Sequence, residues 1–201
     1  MYLFGNYFTF SEILKMGYSL VITKLFYPKA MLIRRPFIVR GKPRFQYGKG
    51  FTTGYNCRIE VFGEKKDKSK KLIIGDNCRL GDNVHIAANE KVVIGDNCLM
   101  ASKIFISDCS HGNYSGTDNI STPFDHPEER ELVSRPVLIG KNVWIGENVC
   151  ILSGVSIGDG CIIGANSVVT KSVPDYCIVA GAPAKVLKQY NTEKNIWETK
   201  R

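Results

Sequence analysis

The chain lacks most of what would place it in a compartment or a catalytic class at first sight. No segment is apolar for long enough to span a bilayer, because Lys15 and Lys24 interrupt the one apolar stretch near the N-terminus. Met1–Phe10 carries no positive side chain and no small-residue cleavage site follows, so a secretory leader is not expected. Without one, the sequons Asn113-Tyr-Ser115 and Asn119-Ile-Ser121 read as chance. The seven cysteines form no Cys-x-x-Cys and no zinc spacing, and an odd number cannot close a disulfide framework, which fits a reducing, cytoplasmic compartment. Gly41 to Gly48-Lys49 is too widely spaced for a phosphate-cradling loop. Histidine is scarce: His85, His111 and His126 are the only three.

Charge is plentiful but uneven. The chain carries a net +8, with +11 in residues 1–72 and −3 in residues 73–201. A basic end suggests an anionic partner or a solvated basic face, and no nucleic-acid motif accompanies it. A hydrophobic fraction of 44% allows a real core.

What is present is a six-residue period. Ile74-Gly-Asp-Asn, Leu80-Gly-Asp-Asn, Ile94-Gly-Asp-Asn, Ile139-Gly-Lys-Asn, Ile145-Gly-Glu-Asn and Ile157-Gly-Asp-Gly repeat one pattern, and Ile86, Met100, Ile106, Ile151, Ile163 and Val169 fall in register. A weaker train runs through Ile33, Val39, Phe45, Phe51 and Cys57. Six fits neither an amphipathic helix nor a hairpin meander. It fits a short strand and a tight corner, repeated, with the aliphatic residue inward and Gly or Asn supplying positive φ. Three such units close an 18-residue triangular coil, and coils stack at a strand spacing of ~4.8 Å into an all-β solenoid. Cys78, Cys98 and Cys161 then occupy a position needing a small inward side chain, which makes them core residues.

The organisation expected is an apolar, loosely helical segment at 1–32, a β-solenoid at 33–182, and a C-terminal helix at 183–201. Ser11 with Glu12 is a helix-start signal. Two insertions break the period. Glu64–Lys71 reads as an exposed polar hairpin, and residues 107–136 read as an extruded loop, of a kind that usually carries function.

Five motifs in order carry a family resemblance: the tandem hexapeptides, Asp108-Cys-Ser-His111-Gly, Val143-Trp-Ile-Gly146, Ile163-Gly-Ala-Asn-Ser-Val-Val-Thr170 and Ala180-Gly-Ala-Pro-Ala-Lys185. Together they resemble the hexapeptide-repeat acyltransferases, and within them the maltose and galactoside O-acetyltransferases and those of surface-polysaccharide gene clusters. The resemblance covers roughly residues 33–190. It implies a left-handed parallel β-helix, a homotrimer with sites between subunits, acetyl-CoA as donor, no metal, and a carbohydrate hydroxyl as acceptor. By it, His111 is the base, since a neutral hydroxyl attacks a thioester only with a base poised near neutrality. Trp144, pointing outward one residue before a repeat position, packs on the pantetheine or acetyl end. Gly146, Ala165 and Thr170 border the cofactor, with backbone N–H groups near Gly146 as oxyanion donors. Lys185 and Lys188 suit its phosphates. Asn89, Asp108 and Tyr114 are expected on the acceptor side, and either Asp108 or a backbone carbonyl orients His111. The sugar-contacting Asn of the maltose and galactoside branch aligns with Ala87, and the loop after His111 is longer, so the acceptor differs from a free simple disaccharide.

Three other readings compete. The acceptor could be the amino group of a nucleotide-linked amino sugar. The chain could be a zinc hydratase, since one carbonic anhydrase class shares the prism, but that needs three converging histidines. Or it could be a scaffold without chemistry, against which the His111, Trp144 and Lys185 set argues. Residues 10–27 and the basic excess also suggest peripheral attachment to an anionic membrane.

Overall fold

A computed structural model describes residues 8–115 and 118–200. Residues 1–7 of the N-terminal segment, and Gly116 and Thr117 in the long insertion, lie outside the described residues.

The six-residue period becomes three flat walls visited in strict rotation. One turn of the coil runs through Arg79–Leu80 on the first wall, His85–Ala88 on the second and Val92–Ile94 on the third, then returns to the first at Leu99–Met100. Each wall is a parallel ladder of successive coils. In every first-wall pair one residue points in and its neighbour out. Ile33, Thr53, Leu80, Met100, Ile145, Ile163 and Val179 are in register and all buried. The outward row beside them is Leu32, Thr52, Arg79, Leu99, Trp144, Ile162 and Ile178. The period thus fixes both the core and the faces that remain for ligands.

Corners are made by asparagine. Asn56, Asn77, Asn83, Asn97, Asn142, Asn148 and Asn166 all have φ between 56° and 59°, a left-handed conformation that Asn tolerates. Cys78, Cys98 and Cys161 are buried as expected, with a chemical reason beyond size. Their thiols donate to the carbonyls of Gly95, Gly140 and Pro174 on the next coil, at 3.0, 3.2 and 3.0 Å. A small aliphatic residue would fill the space and leave those carbonyls without that partner.

Helix α1 (Phe10–Phe26) begins at Thr9, whose hydroxyl and the Glu12 carboxylate form a capping box. It closes the N-terminal end of the prism over an aromatic cluster of Tyr27, Phe37, Phe45, Tyr47 and Phe51. The C-terminal end differs from expectation. The described residues of the expected 183–201 helix, 183–200, form no helix: Ala184–Asn191 and Ile196–Thr199 are antiparallel strands that extend the first wall from Cys177–Gly181. The open edge of that last strand supplies hydrogen-bond partners along its length, and this pairing outweighs a weak helical pattern. Glu64–Lys71 is likewise a loop with one turn rather than a hairpin, held in part by a Lys71–Asp67 ion pair at 3.2 Å.

The long insertion leaves the corner between second and third walls. Its base is an antiparallel pair, Cys109–His111 with Leu132–Ser134, so His111 sits on a strand rather than in a loop.

Candidate active site

Strand pairing decides which way His111 faces. His111 lies opposite Leu132, and Cys109 opposite Ser134, so these four share one face of the hairpin. Ser110 and Val133 share the other, which lines a 220 Å³ depression with Tyr114, Arg135 and Ser153. The His111 face looks toward the preceding coil, because the Asn89 side-chain amide donates to Ser134 Oγ at 2.8 Å. The opposite face rests on the following coil, where the Arg135 N–H donates to Ser153 Oγ at 3.1 Å. His111 itself is exposed.

Its main chain is held from the loop side. The Tyr114 hydroxyl donates to the His111 carbonyl at 2.8 Å and accepts from Arg130 at 2.8 Å. Gly112 makes this approach possible: it has φ 101°, and a Cβ there would lie 2.5 Å from the Tyr114 oxygen. Tyr114 therefore positions the His111 backbone.

Asp108 does something other than touch an acceptor or orient the imidazole. It is fully buried, and its carboxylate accepts the N–H groups of Asn89, Glu90 and Lys91 at 2.7, 2.8 and 2.7 Å. Its oxygens are committed to the preceding corner, which anchors the hairpin. Cys109 shares the His111 face, but burial pushes its thiol above the ordinary range, which disfavours a thiolate carrier there. His85 and His126 do not join His111. His85 Nε2 bonds Glu60 on the second wall, and His126 is exposed in the insertion. Among the described residues no group of three His, Cys, Asp or Glu side chains is placed to hold a metal.

The residues expected to meet a cofactor separate into two places. Trp144, Gly146, Ala165, Lys185 and Lys188 lie on the first wall or its corner with the second. Thr170 follows Val168–Val169 on the second wall and so belongs to the His111 edge. On the first wall, Trp144 (51% exposed), Ile162, Ile178 and Lys188 form one row across adjacent strands. Three strand spacings, ~14 Å, separate its ends. Lys185 pairs with Ala180, and a bulge beside Val179 brings Lys185 and Lys188 to the same face although they are three residues apart. An apolar strip ending in two cations suits a long, flat, anionic-ended ligand.

Gly146 contributes differently from expectation. Its N–H donates to the Ile163 carbonyl at 2.8 Å, so it cannot also meet an oxyanion. Its missing side chain serves coil stacking, since a Cβ would lie 2.7 Å from Ala165 N. The free donor is one residue on. Along this corner each turn N–H is taken by a side chain of the next coil: Tyr55 by Asp82, Asp82 by Ser102, and Ser102 by Glu147, at 2.7, 3.1 and 2.9 Å. The next side chain is Ala165, a methyl. The Glu147 N–H has no acceptor among the described residues. The hexapeptide pattern alone does not single out Glu147; only the substitution at Ala165 does.

Comparison with known proteins follows the same lines. Residues 136–171 match the bacterial transferase hexapeptide family, and residues 71–99 match the hexapeptide repeat of succinyl-transferases. A protein of Escherichia coli (strain K12) named for lipopolysaccharide biosynthesis O-acetyl transfer, WbbJ, is 40% identical over 180 residues, which is 90% of this chain and 89% of that one. A galactoside acetyltransferase solved with coenzyme A is 29% identical, with a TM-score of 0.51 over 82% of this chain and 70% of the other. A hexapeptide-repeat acetyltransferase of Vibrio cholerae O1 biovar eltor, solved with acetyl coenzyme A, is 26% identical, with a TM-score of 0.51 over 81% and 69%.

Proposed function

The chain belongs to the bacterial hexapeptide-repeat transferases, and we propose that it carries acetyl from acetyl-CoA to a sugar hydroxyl in surface-polysaccharide biosynthesis. The observation that carries this reading is the complementarity of two edges: an exposed imidazole on one, and on the other an open N–H beside an apolar strip with two lysines. The relative named for lipopolysaccharide O-acetyl transfer and the coenzyme-bound neighbours support it. The coil is read as left-handed, as the family resemblance implies.

The two edges bound opposite sides of the second wall, a chain path of about six residues or ~20 Å. One chain alone does not close a site around both. A homotrimer does, with the His111 edge of one subunit facing the first wall of the next. In it, His111 accepts the proton of the acceptor hydroxyl as the oxygen attacks the thioester carbonyl carbon. The Glu147 N–H meets the charge developing on the carbonyl oxygen. His111 then gives its proton to the departing sulfur, and the new ester carries the acetyl. Trp144, Ile162 and Ile178 hold the cofactor arm, Lys185 and Lys188 its phosphates, and Ala165 and Thr170 border it. Asn89 lies on the acceptor side.

The test is incubation with labelled acetyl-CoA and a panel of glycans. Wild type should give an alkali-labile ester, and His111→Ala should lose about 10²–10⁴-fold in rate with an unchanged melting temperature. An alkali-stable amide would instead support the amino-sugar acceptor. Full activity in His111→Ala would remove the base assignment.

A second element concerns α1, which faces its polar side inward. Ser19 and Thr23 are buried, and Thr23 Oγ1 bonds Ile33. Phe10, Ile13, Leu14, Tyr18, Val21, Leu25 and Phe26 are exposed, with Lys15, Lys24 and Lys29 beside them. No described helix is long and apolar enough to cross a membrane. An apolar face flanked by cations fits the anionic inner surface of a membrane, and like charge disfavours a second copy there. The enzyme would then act in the cytoplasm beside lipid-linked glycans. Vesicles of phosphatidylglycerol should sediment the protein at low salt and Leu14→Glu/Leu25→Glu should abolish this. Failure of wild type to sediment, or dimerisation through α1, would count against it.

A further inference from the structure

The face of the hairpin that carries His111 looks along the outer surface of the second wall toward the earlier coils, and a charged cluster stands there that the transfer chemistry does not use. Glu60, Ala87 and Ser107 are lateral neighbours on three adjacent strands. All three point outward, yet all are buried, at 5%, 6% and 5% exposure. They form the floor of a shallow trough. His85 and Phe105 make one side, with rings 5.2 Å apart. The other is Asn89 and the hairpin. Ala87, with only a methyl, keeps the floor low.

At the far end of the floor, Glu60 accepts from Arg40 at 2.7 Å, Arg58 at 2.7 Å and His85 Nε2 at 2.9 Å. Burial raises the Glu60 carboxyl, but the His85 hydrogen bond and the two guanidiniums outweigh it and hold the group ionised. The pKa of His85 is lowered too, by burial first and by Arg58, against the pull of Glu60, which favours the neutral imidazole. Two guanidiniums against one carboxylate leave one positive charge uncompensated. Arg40 and Arg58 are 72% and 47% exposed at their side chains, so each presents free N–H groups to solvent while Glu60 fixes their geometry. A guanidinium held from behind is preorganised for bidentate capture of an anion.

We propose that this trough is an acceptor subsite, and that Arg40 and Arg58 select an acceptor bearing an anionic group beyond the hydroxyl that His111 serves, across a floor that spans two strand spacings, ~10 Å, from Glu60 to Ser107. The inference rests on the sugar-acceptor reading above. The chemistry is a carboxylate or phosphoryl oxygen pair, carried either by an acidic sugar or by a sugar phosphate. Glu60 and His85 are positioning residues.

Binding tests the subsite without requiring turnover. Saturation-transfer NMR on the intact protein would compare methyl β-D-glucuronide, glucose 1-phosphate and methyl β-D-glucoside. Wild type should bind at least one anionic probe about tenfold more tightly than the neutral one, and the stronger of the two names the source of the charge. Arg40→Gln/Arg58→Gln should remove that preference. Because this leaves Glu60 with less support, the same pair combined with Glu60→Gln guards against misfolding and should behave alike. Glu60→Gln alone removes the hold that preorganises both guanidiniums and should weaken the preference. Lys65→Ala, in the exposed basic loop, should not change it. Equal binding of charged and neutral probes by wild type would overturn the proposal, as would a preference that survives loss of both arginines. Dissociation of the assembly in the arginine variants would also overturn it, by assigning the cluster to a subunit seam. If instead the probes bind as expected but no glycan is acetylated, the subsite stands and the transferase reading falls.

Discussion

The two edges of the second wall are built by the same rule and end in opposite states. At each, a side chain on one coil accepts a turn N–H from the coil before it. On the edge shared with the third wall the side-chain acceptors continue around the hairpin: Asp108 takes three N–H groups, Ser153 takes Arg135 N, and Ser172 takes Ser156 N at the start of the next third-wall strand. On the edge shared with the first wall it runs through Asp82, Ser102 and Glu147 and stops at Ala165. The satisfied edge is stiff enough to launch a hairpin and hold His111 on it. The interrupted edge leaves an N–H and a low surface beside Trp144. A solenoid makes function by local departures from a structural repeat, adding chain at one corner and subtracting a polar side chain at another.

The largest expected effect lies on the satisfied edge. Asp108→Ala strands three corner N–H groups and should cost about 3 kcal/mol. For a chain of this size that lowers the melting temperature by roughly 6–12 °C. Activity should fall with it, because the hairpin base loses its anchor. Asp108→Asn, which keeps one acceptor oxygen, should fall between. Thermal melts alongside acetyl-transfer rates check this. A variant that melts like wild type but has lost activity would return Asp108 to a direct role at His111 and break the contrast between the edges.

These roles were unevenly legible in the sequence. The period wrote out the walls, because a six-residue repeat of inward aliphatics leaves one way to bury them, and it placed Cys78, Cys98 and Cys161 in the core. His111 stood out through its motif. The role of Asp108 did not, since a buried corner acceptor and a catalytic carboxylate look the same in a string of letters. Glu147 was hidden because the group that matters is its backbone, exposed by a methyl 18 residues later. The Glu60 cluster joins side chains from three coils, a juxtaposition set by register rather than spacing. The C-terminal segment misled for a similar reason: the strand edge that recruits Ala184–Asn191 is created by the preceding fold.

The interrupted edge can be closed by one substitution. Ala165→Asp places a carboxylate where the ladder expects one, so it should accept the Glu147 N–H and leave stability equal or slightly raised. It should also occupy the surface proposed for the cofactor and remove the donor for the developing oxyanion. A loss of about 10–100-fold in kcat/KM for acetyl-CoA is expected, below the range for removing one oxyanion donor outright because the added chain can swing aside. Stability held while activity falls is the reverse of Asp108→Ala, in which both fall. Unchanged kinetics in a folded Ala165→Asp would mean that the open N–H is incidental.

The smallest effect belongs to the far end of the first-wall strip. Lys188 shares a row with Trp144, Ile162 and Ile178, and it faces outward from a strand rather than from a helix end. A surface cation contacting a phosphate contributes about 1 kcal/mol and is screened by salt. Lys188→Ala should therefore raise KM for acetyl-CoA about fivefold at low ionic strength, leave kcat unchanged, and approach wild type at high salt. Lys185→Ala should do the same, since the bulge beside Val179 puts both ammonium groups on one face. The sharper measurement uses acetyl-dephospho-CoA, which lacks the 3′-phosphate. If a lysine serves that phosphate, its removal penalises acetyl-CoA and not the dephospho analogue. If it serves the diphosphate, both donors lose equally. A lysine whose loss affects neither is an ordinary surface charge, and the strip then ends at Ile178.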